Sequence, residues 1–272
     1  MLVGHGTTQN PDSAAPVLQH AAELRRRRIF AEVRKAFWKQ EPQVEVVLAS
    51  LACPRVFIAP LFISEGFFCE QVIPRELGFV RDADNELVRV RRRGNSTWCY
   101  CRPVGTHPSM TDVLLERARE VVRRFPFPRA PKPAEISLFI AGHGTEQDSK
   151  SSQVIEKQVE RIRELKLYAE VRAIYLDQEP RIPECYALAA TKSLVVVPFF
   201  MSDGLHVRED IPVLLGEPER NVRSRLEAGQ QTWRNPSEKK DKLVWYASAV
   251  GSEPHLADVI LERVNEVAPG TT

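Results

Sequence analysis

The chain has 272 residues, 43% of them hydrophobic and 27% charged, with a formal net charge of +2. That is enough apolar material for two globular units, and the near-neutral balance argues against bulk binding of nucleic acid. No stretch reaches the ~20 apolar residues of a membrane span, and the five scattered cysteines suit free thiols in a reducing cytoplasm.

The chain opens on MLVGHGTTQN, which reads as a strand running into a glycine-flanked histidine turn, not as a signal peptide. The same turn returns as AGHGTEQDSK at 141–150, and the offset of 138 residues from His5 to His143 sets a register for the whole chain. That offset pairs EVRKAFWKQEP (32–42) with EVRAIYLDQEP (170–180), and APLFISEGFFCEQVIP (59–74) with VPFFMSDGLHVREDIP (197–212). Further on, VGTHPSMTDVLLER (104–117) matches VGSEPHLADVILER (250–263) at an offset of 146, so the second copy carries 146 − 138 = 8 extra residues. The chain is a tandem duplication. A Pro-rich segment, FPFPRAPKP (125–133), divides it into an N-terminal unit (1–124), a linker (125–134) and a C-terminal unit (135–272).

Within the second copy, ISLFIAG (136–142) reads as a buried strand. SSQVIEKQVERIREL (151–165) follows with Val154, Ile155, Val159, Ile162 and Leu165 at helical spacing. AEVRAIYL predicts a strand, PECYALAATK a short helix, SLVVVPFF (193–200) the most buried strand and HVREDIPVLLG (206–216) a helix. LVWYASAVG (243–251) closes the strands, and PHLADVILERVNEV (254–267) is a final helix with Pro at its start. Strands alternating with helices imply βαβ crossovers, so each unit is expected to be α/β and flavodoxin-like. The expected architecture is a four-stranded parallel sheet per unit, flanked by helices, with a cleft between the two units.

Ligands of such sheets bind beyond the carboxyl ends of the strands. The GHG turn follows strand one and SDGLH follows strand three. These strands are neighbours in a flavodoxin-like order, so His143 and His206 should face each other on one rim. Two neutral imidazoles there suit a divalent transition metal and can accept protons near neutrality. Glu179, with Asp177 beside it, is the candidate third ligand, and Gly142, Gly144 and Gly204 leave bare backbone for a ligand to approach. In the first copy His5 remains, but Phe68 and Val72 stand where His206 and Asp210 stand in the second. The first copy therefore reads as a degenerate site that keeps the fold and a substrate-facing wall.

The GHGT turn, PFFMSDGLHVREDIP and VGSEPHLADVILER together resemble the sirohydrochlorin chelatases of the CbiX type, in their long, internally duplicated form. The resemblance covers nearly the whole chain. It implies a lyase that inserts Co2+, Fe2+ or Ni2+ into sirohydrochlorin without ATP and without an organic cofactor, with Co2+ preferred here. It carries the family's paired histidines onto His143 and His206, although long members usually keep the pair in the N-terminal half. The substrate implied is a polycarboxylate, so Arg208 and the run VRVRRRG (88–94) become candidates to orient it, alongside His5. The implied partners are the macrocycle and the metal ion, with neither nucleic acid nor membrane, and the oligomeric state is left open.

Three other readings compete. A non-catalytic tetrapyrrole- or metal-binding protein derived from a chelatase would share every motif. A histidine phosphatase would need an arginine beside the histidine, where this chain has Val-Gly and Ala-Gly. An iron–sulfur protein would rest on Cys99 and Cys101 with Cys53 and Cys69, a looser grouping than cluster sites use.

Overall fold

The computed structural model describes residues 1–7, 11–144 and 149–268. The first half runs β1 (Leu2–Gly4), α1 (Ala15–Arg27), β2 (Lys35–Phe37), α2 (Val44–Ala49), β3 (Arg55–Pro60), α3 (Ile73–Glu76), β4 (Val90–Arg93), β5 (Ser96–Tyr100) and α4 (Met110–Arg124). The second repeats it as β6 (Ile136–Gly142), α5 (Ser149–Glu164), β7 (Glu170–Tyr175), α6 (Cys185–Leu188) and β8 (Ser193–Pro198). It continues through α7 (Ile211–Leu214), α8 (Glu219–Glu227), β9 (Ser237–Lys239), β10 (Lys242–Tyr246) and α9 (Leu256–Val267). The strand orders are β2-β1-β3-β5-β4 and β7-β6-β8-β10-β9. In each sheet the first and third strands of the repeat are therefore neighbours, as the flavodoxin-like order requires.

Each sheet has five strands, one more than expected. The additional strand, β4 or β9, lies antiparallel on the edge, beside β5 or β10. Both are short and charged, as edge strands that discourage further pairing tend to be. Most of the arginine run forms β4 in place of a solvated loop, and three of its arginines are engaged within their own unit. Arg89 donates to Glu70 at 2.8 Å, Arg91 donates to the Leu77 carbonyl at 2.6 Å, and the Arg93 guanidinium lies 4.6 Å from the Trp98 ring centre. Their charge and apolar stems are spent on their own unit.

The compact units do not divide at the linker. One consists of Met1–Met110 with Pro254–Thr272, and the other of Thr111–Glu253. The closing helices are thus exchanged: α4 belongs to the second sheet and α9 to the first. A buried arginine anchors each. Arg117 of α4 donates to the Ala249 carbonyl at 3.2 Å and to Ser252 at 2.7 Å, and meets Glu253 at 3.4 Å. Its repeat equivalent, Arg263 of α9, donates to the Pro103 carbonyl at 3.1 Å and to Thr106 at 2.6 Å. The second unit is further pinned by Trp245, whose indole N–H donates to the Phe125 carbonyl at 2.9 Å.

Each sheet has a dry core. Phe139, Leu194, Val196, Ile211, Leu215 and Val244 pack one face of the second sheet, and Val3, Ile58, Ile73 and Trp98 do so in the first. Among the described residues, no helix is long and apolar enough to cross a membrane.

Candidate active site

The site grows from two chain reversals at the carboxyl ends of β6 and β8. At the first, Gly144 takes φ +67°, where an L side chain is strained, and a Cβ there would sit 2.6 Å from Gln178 Cγ and 2.7 Å from Tyr175 Cβ. The loop after β7 can therefore close down on the turn. The His143 carbonyl accepts the N–H groups of Leu176 at 3.2 Å and Asp177 at 3.1 Å. Gly6 repeats this arrangement at φ +64° over Gln40.

At the second reversal the chain forms a π-helical turn, His206–Asp210, before α7. The wide turn closes through the Ile211 N–H onto the His206 carbonyl. The next donor in line belongs to Pro212, which has no N–H, and the Val207 carbonyl would go unpaired. The hydroxyl of Tyr246, from β10, donates to it at 2.7 Å. Burial pushes that phenol's pKa well up, so the hydroxyl keeps its proton. The first unit repeats the device: Tyr100 donates to the Cys69 carbonyl at 2.9 Å, five residues before Pro74. Gly251 seats the rim loop from below, since a Cβ on it would come within 1.9 Å of the Met201 carbonyl oxygen.

These supports bring His143 and His206 together, with ring centroids 5.0 Å apart and planes at 87°. Each imidazole is backed by a carboxylate at Nδ1. Asp210, one helical turn on, lies 2.6 Å from the Nδ1 of His206 in a hydrogen bond. Asp177 lies 3.0 Å from the Nδ1 of His143, an ion-pair distance without the alignment of a hydrogen bond. The hydrogen bond to Asp210 holds the proton on Nδ1 of His206 and leaves its Nε2 as the free donor. With the bound nitrogen ~1.1 Å from the ring centre and metal–nitrogen bonds of ~2.0–2.1 Å, two imidazoles at a tetrahedral angle have centroids ~5 Å apart. The observed separation is that of a pair able to share one ion.

Among the described residues, no cluster of three metal-ligating side chains occurs. Two imidazoles alone would leave a four-coordinate ion two open positions. Glu179 does not join it. Its side chain pairs with Glu184, which raises its pKa, and lies 3.8 Å from Arg181, so the nearer acid of that loop is Asp177. Arg208 and Gly204 both lie at the π turn, where the Arg208 N–H donates to the Gly204 carbonyl at 2.9 Å. Gly142 ends β6, and a Cβ there would displace the end of the Ile155 side chain, whose Cδ1 lies 2.0 Å from that position.

The eight extra residues of the second copy form part of the segment holding α8, which packs against the His206 turn. There Arg223 reaches Glu209 at 3.4 Å, while Arg225 and Lys239 both meet the buried Glu217 at 3.0 Å. In the first unit, His5 meets Phe68 at 5.3 Å and 87°, the same edge-on arrangement with a phenyl in place of the second imidazole. The cysteines stand apart from both rims as chemistry. All five are free thiols, and burial pushes Cys101 and Cys185 up to about 12 and Cys69 higher still, so none of these three supplies a thiolate.

The class is a pair of flavodoxin-like units, one of them with two imidazoles 5.0 Å apart on its strand rim. Comparison with known proteins gives the family: the CbiX model matches residues 1–121 and again 137–267, and the chain belongs to the CbiX family of chelatases. A probable sirohydrochlorin cobaltochelatase of Halobacterium salinarum is 39% identical over 97% of this chain and 89% of its own length. The sirohydrochlorin cobaltochelatase of Methanopyrus kandleri is 30% identical and, at 96% of its own length, matches 48% of this chain, the size of one copy. Among solved structures, a multi-domain protein of Deinococcus radiodurans, described as structurally similar to chelatases, superposes with TM-score 0.77 at 26% identity. The match covers all of this chain, which spans 55% of that protein. SirB from Bacillus subtilis superposes with TM-score 0.69 over 98% of this chain and 94% of its own, at 17% identity, a likeness of fold.

Proposed function

We propose that this chain inserts a divalent metal into sirohydrochlorin, with Co2+ as the physiological ion ahead of Fe2+ or Ni2+, and that His143 and His206 carry the reaction. The observation that supports this most is the pair of imidazoles 5.0 Å apart, each with an aspartate at its Nδ1. The names of the Halobacterium and Methanopyrus relatives point to the same substrate and to cobalt.

Insertion requires the ion to exchange water for four pyrrole nitrogens while the macrocycle gives up two N–H protons. Two fixed imidazoles hold the ion in register with the ring, and open positions let pyrrole nitrogens replace water one at a time. As the ion passes to the macrocycle, each Nε2 regains its lone pair and is free to accept one of the released protons. Charge balances in the exchange: one dication enters the ring and two protons leave it. Arg208, Gly142, Gly144, Gly204 and His5 are assigned to the macrocycle, and the reaction to the cytoplasm, which suits five free thiols.

The test is to mix purified protein with sirohydrochlorin and each metal in turn and follow the absorbance change. Acceleration over the spontaneous rate, largest with Co2+, is expected. Binding of macrocycle or metal without acceleration would favour a carrier derived from a chelatase.

A further inference from the structure

The two rims differ in a pattern that one lost histidine does not explain. Through the 138-residue register, Leu176, Asp177, Leu205, His206 and Asp210 of the second unit become Trp38, Lys39, Phe67, Phe68 and Val72 in the first. Both aspartates that support a cation are gone, and one is replaced by a cation. Both leucines have become aromatic. At these five positions the changes move the rim away from metal and toward a flat, electron-rich anion; Arg208 becomes Glu70 in the same register, and its charge is met by Arg89 at 2.8 Å.

The geometry agrees. Trp38 and Phe67 each lie edge-on to Phe68, with ring centroids 6.1 Å apart in both pairs, and His5 closes the group at 5.3 Å. Phe67 is 60% exposed, and Trp38 and Phe68 are only half-buried. Core aromatics are normally hidden, so a cluster left open at the ligand-binding end of a parallel sheet is available for stacking. Lys39, exposed, has its N–H bonded to the His5 carbonyl at 2.9 Å, which fixes the root of the cation beside the rings.

We infer that the rim of the first unit, formed by Trp38, Lys39, Phe67 and Phe68, is a metal-independent binding site for a planar aromatic polycarboxylate macrocycle. The rings stack on its face and the lysine meets a carboxylate at its edge. The inference rests on the proposed function for the choice of macrocycle. It gives the first copy a ligand surface of its own, where the ring is held without the ion.

The test uses the full chain, uroporphyrin as a metal-free octacarboxylate probe, and a chelator to remove stray ions. Affinity is read by tryptophan fluorescence quenching and by absorbance titration. Trp38→Ala with Phe68→Ala is expected to weaken binding at least about tenfold, ~1.4 kcal/mol. Trp38→Phe with Phe68→Tyr should restore most of the affinity. Lys39→Asp, an exposed change that leaves the fold intact even if the double variant unfolds, should weaken binding several-fold and reduce its salt dependence. Glu179→Gln, an exposed change away from the first rim, should bind uroporphyrin as wild type does. Unchanged affinity in Lys39→Asp and in the folded aromatic variants overturns the inference. A wild-type chain that binds the probe at this rim but inserts no metal would instead overturn the chelatase reading and leave the site standing.

Discussion

The hydroxyl of Tyr246 donates to the Val207 carbonyl, at 2.7 Å, in the residue that follows His206. Because Pro212 cannot make that bond, the tyrosine is what lets a wide π turn survive beneath the His206 imidazole. Tyr246→Phe leaves a buried carbonyl unpaired and should cost ~1–3 kcal/mol in denaturant unfolding. It should also slow insertion. Tyr100→Phe makes the same cut under Phe68 and should destabilise comparably while leaving the chemical step alone. Equal losses of turnover in both variants would argue that the bond acts through stability only.

The two halves should respond unequally to loss of a histidine. His206→Ala is expected to reduce insertion to the spontaneous rate and His143→Ala nearly so, since one imidazole and water let the ion exchange freely. His5→Ala should weaken macrocycle binding and spare the maximal rate. Initial rates at saturating and limiting macrocycle separate these effects. If His5→Ala lowers the maximal rate as far as His206→Ala, the first copy is no silent partner.

The aspartates should matter to metal affinity as supports of the ligands. Asp210→Asn keeps the shape of the group at Nδ1 but removes its charge, and is expected to weaken Co2+ binding by roughly 10–100-fold. Asp177→Asn should do less, because its contact with His143 lacks hydrogen-bond alignment. Glu179→Gln should leave affinity unchanged. Equilibrium dialysis of Co2+ against the three variants checks the ranking.

A second ion site can be rebuilt in stages. Phe68→His alone sets an imidazole opposite His5 but gives it Val72 and Lys39 for neighbours, so only weak extra Co2+ binding is expected. Adding Val72→Asp and Lys39→Asp should strengthen it and raise the stoichiometry to two ions per chain. Calorimetric titration reports both quantities. No second ion in the triple variant would show that the first rim differs by more than these three residues.

Glu170 gives the second sheet an acid-sensitive joint. Burial alone would raise its pKa, but bonds from Arg172, Ser137 and the Ala190 N–H lower it below the usual carboxylate range. A group with a depressed folded pKa contributes stability above its unfolded value of ~4.3 and loses it as pH falls through the folded value. The melting temperature should therefore fall below about pH 5, and Glu170→Gln should be less stable at neutral pH with a flatter acid limb. An acid limb of unchanged slope in Glu170→Gln would remove this residue from the explanation.

Much of this was legible in the residues. The GHG turns and the HVREDIP segment, locked in one register, were enough to bring His143 and His206 to a common rim. The edge strands were not legible, because VRRR and SEK carry no apolar alternation and read as charge runs. The aspartate beside His143 was hard to tell from Glu179, two positions on, since only the descent of the loop onto the His143 carbonyl decides which acid arrives. The exchange of closing helices was hidden for a different reason. TDVLLER and ADVILER are so alike, down to the buried arginine, that either helix suits either sheet, and nothing local says which one it joins.

That exchange sets an order of assembly. A ribosome delivers residues 111–253 as one uninterrupted stretch, so the histidine-bearing unit has every element it needs before α9 exists. The first unit, begun earlier, must wait with the flank of its sheet uncovered until Pro254 onward emerges. Chains of this kind ordinarily fold from the front. Here the second unit can be completed before the first, and a stop codon placed near residue 253 would strike the first unit harder than the second.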